Sequence, residues 1–203
     1  MNQLKVYPNI QGLIFDCDGT LADTTGMHLE AWAKTLSHFG LPSIIPQNLL
    51  IEMNGLSTAV IAQRINAQLG LDFDIPHFTQ MKDHLVGQLL VKASPITPIV
   101  NIVHQNKGVL PMAVVSGGSR ENVLLTLTAL NLLESFQTVI TADDPFPPKS
   151  EPEIFLQAAK ILGVQPEFCQ VFEDGESAIA GAKKAGMHVV DVRGVTQIAA
   201  TPH

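Results

Sequence analysis

Residues 12–21 read Gly12-Leu13-Ile14-Phe15-Asp16-Cys17-Asp18-Gly19-Thr20-Leu21. A short apolar run, Leu13 to Phe15, stops at two carboxylates, Asp16 and Asp18, and a third acid follows at Asp23. Short apolar runs bounded by turn residues read as buried strands, which places a strand over 11–16. Open α/β sheets gather their chemistry at the carboxyl ends of strands, and both leading acids stand at such an end. Three acids so close together repel one another. A hard, oxygen-seeking cation sharing the site relieves that repulsion, and Mg²⁺ is the natural candidate.

Outward from this strand the chain turns helical. Thr24 or Thr25 can cap a helix running to Phe39, with Leu29, Trp32, Ala33 and Leu36 on one face and Gly40 and Pro42 as the stop. Ser57 opens a second segment carrying Val60, Ile61, Ile65 and Leu69, ended by Gly70. A third, over 76–91, carries Met81, Leu85, Leu89 and Leu90. No strand is expected between residues 24 and 108. Beyond that, strands and helices alternate. Thr97-Pro98 starts a helix that Gly108 stops, and a strand over 112–115 ends in Ser116-Gly117-Gly118-Ser119. A helix follows with Val123, Leu124, Leu127 and Leu130. Then come a weak strand over 138–141, a helix over 151–162 closed by Gly163, and a strand over 170–172 ending in Glu173-Asp174-Gly175. A helix to Ala185 and a last strand over 189–192 complete the pattern. Such alternation implies βαβ units and a parallel sheet. The expected fold is α/β: a Rossmann-like parallel sheet core from residues 1–22 and 93–203. A small all-helical cap, residues 23–92, is inserted after the first strand and lies over the carboxyl edge of the sheet.

The bulk numbers are compatible with that division. The chain has 203 residues and is 46% apolar, enough for one core with a modest insertion. A net charge of −7 argues against nucleic acid or an anionic membrane as partner. An anionic substrate would then need a metal and a few placed cations to overcome the overall field. Cys17 and Cys169 form neither a disulfide framework nor a zinc pattern, and read as reduced, buried thiols of a cytoplasmic protein. The opening residues lack the apolar core of a signal peptide, and no run approaches the ~18 apolar residues of a membrane span. Nothing suggests a large exposed apolar face, so a monomer is expected.

The chemistry-bearing positions line up in order: Asp16 and Asp18, Ser116, Lys149, then Glu173 and Asp174. Each has an ordinary explanation alone. Ser116 beside two glycines is a turn residue, Lys149 a solvated loop lysine, and Glu173-Asp174 a helix start. Asp23 and the threonines can simply cap the helix that follows. The order and the strand-end placement together change the reading.

That order resembles the haloacid dehalogenase-like superfamily of phosphotransferases. The first motif, Asp-x-Asp-Gly-Thr-Leu-x-Asp, is met from Asp16 to Asp23. The hydroxyl motif is met by Ser116 after Val114-Val115, and the lysine motif by Lys149, Pro152, Glu153 and Phe155. The last motif runs from Phe172 to Met187. The segment after the first motif is similar to the cap of the β-phosphoglucomutase-like group, through Thr24, His28, Ala31, Trp32 and the Asn54-Gly55 loop. Gly163 to Pro166 and Gly186 to Arg193 resemble bacterial sugar phosphatases of the fructose-1-phosphate phosphatase type. The resemblance implies that Asp16 is the nucleophile and Asp18 the general acid and base. It implies Mg²⁺ held by Asp16, the Asp18 main-chain carbonyl and Asp174, with Glu173 beside it. Ser116 and the Gly117 amide would bind phosphoryl oxygens, and Lys149 would neutralise their charge. Thr20, His28, Asn54 and Gly55 are further candidates for contact with a small phosphorylated metabolite.

Two departures from the family pattern stand out. Ser150 replaces the usual Pro after Lys149 and should loosen that loop. The loop after Asn54-Gly55 lacks the basic residues that hold a second phosphate, with no cation before Arg64. The implied activity is therefore hydrolysis of a sugar or sugar-acid phosphate. A β-phosphoglucomutase-type isomerase is the rival, and a non-catalytic binding protein on the same fold a third reading. Dehalogenases lack the second acid of the first motif, which is present here as Asp18.

Overall fold

A computed structural model describes residues 4–41 and 55–194. The apolar run at the start forms β1 (Gly12–Phe15), the central strand of a five-stranded parallel sheet. The other strands are β4 (Met112–Val115), β5 (Thr138–Ile140), β6 (Cys169–Glu173) and β7 (His188–Asp191), in the order β5-β4-β1-β6-β7. From β1 the chain adds strands first on one side and then on the other. The switch point therefore lies between β1 and β6, where this class of sheet opens its crevice. Register makes the strand ends level. Phe15 pairs with both Val114 and Phe172, and the Asp16 amide donates to the Phe172 carbonyl at 3.0 Å.

Alternate strand residues serve two cores, the expected consequence of a sheet covered on both faces. Leu13, Phe15, Val114 and Phe172 pack with α4 (Thr97–Asn106) and α5 (Arg120–Ala129) through Ile99, Val103, Val123 and Leu127. Phe15 and Phe172 stack with centroids 4.9 Å apart. Ile14, Ala113, Val115 and Val171 face α6 (Glu153–Leu162) and α7 (Glu176–Lys184), meeting Phe155, Ala158, Ala178 and Ala182. Cys17 and Cys169 are buried free thiols, one in each core.

The helical insert leaves and re-enters the core through a two-residue antiparallel ribbon, β2 (Ala22–Asp23) with β3 (Ser94–Pro95). β3 corrects the expectation of no strand before residue 108. Two residues carry no readable alternation, and its proline sits where an edge strand tolerates it. The insert contains α1 (Thr25–His38), α2 (Thr58–Leu69) and α3 (Ile75–Leu90) around Trp32, Leu36, Ile61, Ile65 and Phe78.

Two faces differ from the expected ones. On α1 the buried residues are Ala31, Trp32, Thr35 and Leu36, whereas Leu29 is 42% exposed. Thr35 satisfies its own hydroxyl on the Ala31 carbonyl at 2.8 Å, so a polar residue takes a place in the stripe. On α3 the buried row is Phe78, Lys82, Val86 and Leu90, not Met81, Leu85 and Leu89. Smaller differences are an α6 start at Glu153, after the turn through Ser150 and Pro152, and β7 ending at Asp191. No helix among the described residues is long and apolar enough to cross a membrane.

Candidate active site

Three strand ends and one loop converge at the switch point. Lys149, on the loop between β5 and α6, is 2% exposed. Its ammonium lies 2.6 Å from Asp16 Oδ1 and 2.7 Å from Glu173 Oε2. The other Glu173 oxygen accepts the amides of Asp174 and Gly175, at 3.1 and 2.8 Å. Glu173 is thus an anchor for Lys149 with both oxygens committed. Burial pulls the Lys149 pKa down, but Asp16 and Glu173 outweigh it and hold the ammonium above the ordinary lysine value.

At Ser150 the loop packs against α7. The Lys149 carbonyl fills the space where a side chain on Gly181 of α7 would lie. Lys184 of the same helix donates to the Ser150 carbonyl at 3.1 Å and pairs with Glu151. The loop is thus seated from the helix side, through Gly181 and Lys184.

Asp16, Glu173 and Asp174 bring carboxylate oxygens within 4.8 Å of one another. Burial raises the Asp16 pKa well above the carboxylate range, Glu173 adds to this, Lys149 opposes it and Asp174 raises it further. One lysine against three acids leaves negative charge unbalanced in a buried place. An all-oxygen donor set with that charge suits a hard divalent cation. Thr20 is buried beneath this group and donates to Asp174 Oδ1 at 3.4 Å, so its hydroxyl serves a candidate metal ligand. Gly19 closes the turn with φ +80°, and a side chain there would run into Asp174.

Asp18 faces the other way, toward the helical insert. The Thr24 hydroxyl donates to its Oδ1 at 2.7 Å, and His28 Nε2 lies 3.2 Å from the same oxygen. Thr24 makes no side-chain cap for α1, because its hydroxyl is spent on Asp18. His28 Nδ1 is 3.0 Å from Lys82 Nζ. An ammonium can only donate, so Nδ1 accepts and the ring hydrogen on Nε2 points at Asp18. Lys82, 4% exposed, also lies 3.5 Å from Asp83 Oδ1 and 5.6 Å from the centre of the Trp32 ring. Burial would raise the Asp18 pKa, but His28, Thr24 and Lys82 together hold it down at about 2. Burial lowers the Lys82 pKa, against the pull of Asp83 and Asp18.

Ser116 is buried at the end of β4, and its hydroxyl accepts the Gly118 amide at 3.1 Å. A side chain on Gly118 would sit 3.4 Å from Ser116 Oγ and 3.5 Å from Asp18 Oδ2, so these two oxygens converge over the turn. A Cβ on Gly117 would lie 2.5 Å from the Gly55 carbonyl oxygen, which places the insert loop directly on the Ser116–Gly118 turn. Gly55 also approaches Ser177 and Ala178 at the start of α7. Asn54 lies outside the described residues. Asp23 is exposed on β2, in the ribbon that joins insert to core, and is not a member of the acid cluster.

Comparison with known proteins gives the family of the chain. Residues 13–192 match the haloacid dehalogenase-like hydrolase family. The chain belongs to that family. It is 38% identical over 188 residues to the fructose-1-phosphate phosphatase YqaB of Escherichia coli, covering 93% of this chain and 99% of the relative. Hexitol phosphatase A of the same organism is 26% identical, with 90% and 82% covered. The structure of β-phosphoglucomutase from Clostridium difficile superposes with a TM-score of 0.79 at 24% identity, over 90% and 84% of the two chains, and shares the fold.

For a haloacid dehalogenase-like hydrolase, the residue that sequence reasoning missed is Lys82. A lysine in the i, i+4 row Phe78-Lys82-Val86-Leu90 was the available signal. Counting only apolar residues on α3 passes over it, and the family pattern places its cations at the Asn54-Gly55 loop instead.

Proposed function

We propose that the protein is a Mg²⁺-dependent phosphatase acting on a small sugar or sugar-acid phosphate through a phosphorylated Asp16. One observation carries the reading. The two acids of the first motif have opposite environments, Asp16 on Lys149 beside Glu173 and Asp174, and Asp18 on Thr24 and His28. Carboxylates given separate surroundings take separate tasks. Asp16 attacks phosphorus, and the alcohol leaves with a proton from Asp18. Asp18, now ionised, takes a proton from the water that cleaves the acyl phosphate. Asp18 is ionised in the free protein, and the negative charge of a bound phosphoryl group raises its pKa and favours the acid form for the first step. Ser116 and the Gly117 amide orient phosphoryl oxygens, and Lys149 offsets their charge. Mg²⁺ held by Asp16, Asp174 and the Asp18 main-chain carbonyl, with Glu173 beside it, would add positive charge at the same oxygens.

The substrate class follows the relatives named for fructose 1-phosphate and hexitol phosphates. Hydrolysis is preferred over isomerisation because the buried cation of the insert, Lys82, is engaged with His28 and Asp83, and Arg64 is exposed on α2. A mutase needs cations at a second phosphate. The test is a phosphate-release screen over sugar phosphates with Asp16→Asn as control. Release by the native protein and none by the variant is expected. Equal release by both would remove Asp16 as nucleophile, and isomer formation without free phosphate would establish the mutase.

A further inference from the structure

We infer that Asn122 and Gly87 form a clasp between core and insert that positions the Lys82–His28–Asp18 relay. Asn122 lies on α5 of the core, is 7% exposed, and donates its side-chain amide to the main-chain carbonyl of Asp83 on α3 at 3.1 Å. This bond crosses from the sheet domain to the helix that carries Lys82, one residue away from it. A glycine in a helix interior is unfavourable relative to alanine, so Gly87 within α3 calls for a packing reason. The reason is Asn122: a Cβ on Gly87 would sit 2.8 Å from its amide oxygen and 3.7 Å from Leu125 Cδ1. Gly87 lets the two helices close far enough for Asn122 to reach Asp83.

The grip continues into the insert. The Asp83 carboxylate accepts the Thr58 hydroxyl at 2.8 Å and lies 3.5 Å from Lys82 Nζ. Thr58 opens α2, just after the Gly55–Leu56 loop that rests on Gly117. One core side chain thus fixes both the helix behind the relay and the start of the helix behind the loop on the phosphate turn. Asn122 and Gly87 touch none of the reacting groups; they are positioning residues for Asp18.

Positioning of an acid shows in leaving-group dependence. Phenyl phosphate expels a more basic oxyanion than p-nitrophenyl phosphate and depends more on proton donation. The experiment measures kcat/KM for both esters with Mg²⁺ in the native protein, Asn122→Ser, Gly87→Ala and the double variant, with thermal unfolding and hydrogen exchange over residues 80–90. Asn122→Ser and Gly87→Ala should each lower the phenyl phosphate value about tenfold more than the p-nitrophenyl phosphate value, the size expected of one buried hydrogen bond. Gly87→Ala should not lower the melting temperature by weakening its own helix, and should cost little once residue 122 is serine, because the clash is then gone. Exchange over 80–90 should rise in both single variants.

Equal losses on the two esters, or an equal cost of Gly87→Ala in both backgrounds, would overturn the inference. So would unchanged exchange in Asn122→Ser, which tests the clasp even if Gly87→Ala fails to fold. The inference rests on the phosphatase reading but not on the sugar. A native protein inert toward both esters and toward the sugar phosphates would sink the phosphatase reading, while the exchange measurement would still decide whether the clasp exists.

Discussion

Lys149 bridges two buried carboxylates, and its removal leaves both without their counter-charge. Breaking a buried ion pair from one side costs about 3–5 kcal/mol. Lys149→Met is therefore expected to lower the urea midpoint strongly and to abolish phosphate release. Adding Glu173→Gln should recover much of the stability, because one of the two stranded charges is gone, and none of the turnover, because no cation returns to Asp16. Recovery of activity in that double variant would show that Lys149 serves only to balance Glu173. Asp18 offers a separate check through pH. Its folded pKa of about 2 is below the ordinary aspartate value of about 3.9, so the folded state binds fewer protons. That contribution is fully present above about pH 4 and is lost as pH falls toward 2. His28→Asn removes the strongest group holding the pKa down. The variant should lose less stability than the native protein between pH 5 and 2, read as urea midpoints against pH. Parallel curves would mean that His28 does not set the ionisation of Asp18.

Elements differ in how openly the sequence displays them, and the reason is what each must bury. β1, β4 and β6 are short apolar runs because the sheet is covered on both faces, and their terminal acids and Ser116 are legible at the point where the runs stop. α1 and α3 are legible as helices but not as faces. Each buries a polar residue that is satisfied inside, Thr35 on Ala31 and Lys82 on His28, and a count of apolar residues rotates the inferred stripe away from it. The pairing of β2 with β3 is too short to leave a pattern. The seating of the Lys149 loop is equally hidden, since it depends on a glycine some thirty residues later in the chain. Gly181→Ala tests that seating. A methyl group there meets the Lys149 carbonyl, a backbone atom that cannot turn aside. Overpacking of this kind costs about 1–3 kcal/mol. The variant is expected to fold with a lowered melting temperature and to lose more in kcat than in KM, because Lys149 is displaced relative to Asp16. Native kinetics would show that the loop can move without disturbing the lysine.

Over the whole molecule, a chain of net charge −7 places three carboxylates within 4.8 Å at the switch point of its sheet, with one lysine against them. Such an arrangement destabilises the protein on its own, since burial and mutual repulsion both push the Asp16 pKa upward. Binding a divalent cation converts that repulsion into coordination, and a ligand that binds only the folded state stabilises it in proportion to the logarithm of its concentration. Mg²⁺ is therefore expected to raise the melting temperature progressively, and EDTA to lower it and stop phosphate release, with both effects reversed by excess Mg²⁺. Asp174→Asn tests where the ion acts. Its side chain keeps the size but loses a charge, so the metal-free variant should melt no lower than the metal-free native protein while its response to Mg²⁺ shrinks. Screening at the −7 surface would produce a different signature: the same rise with NaCl at matched ionic strength, unchanged by Asp174→Asn. A Mg²⁺ response that survives both the substitution and the salt control would place the cation site away from Asp16, Glu173 and Asp174.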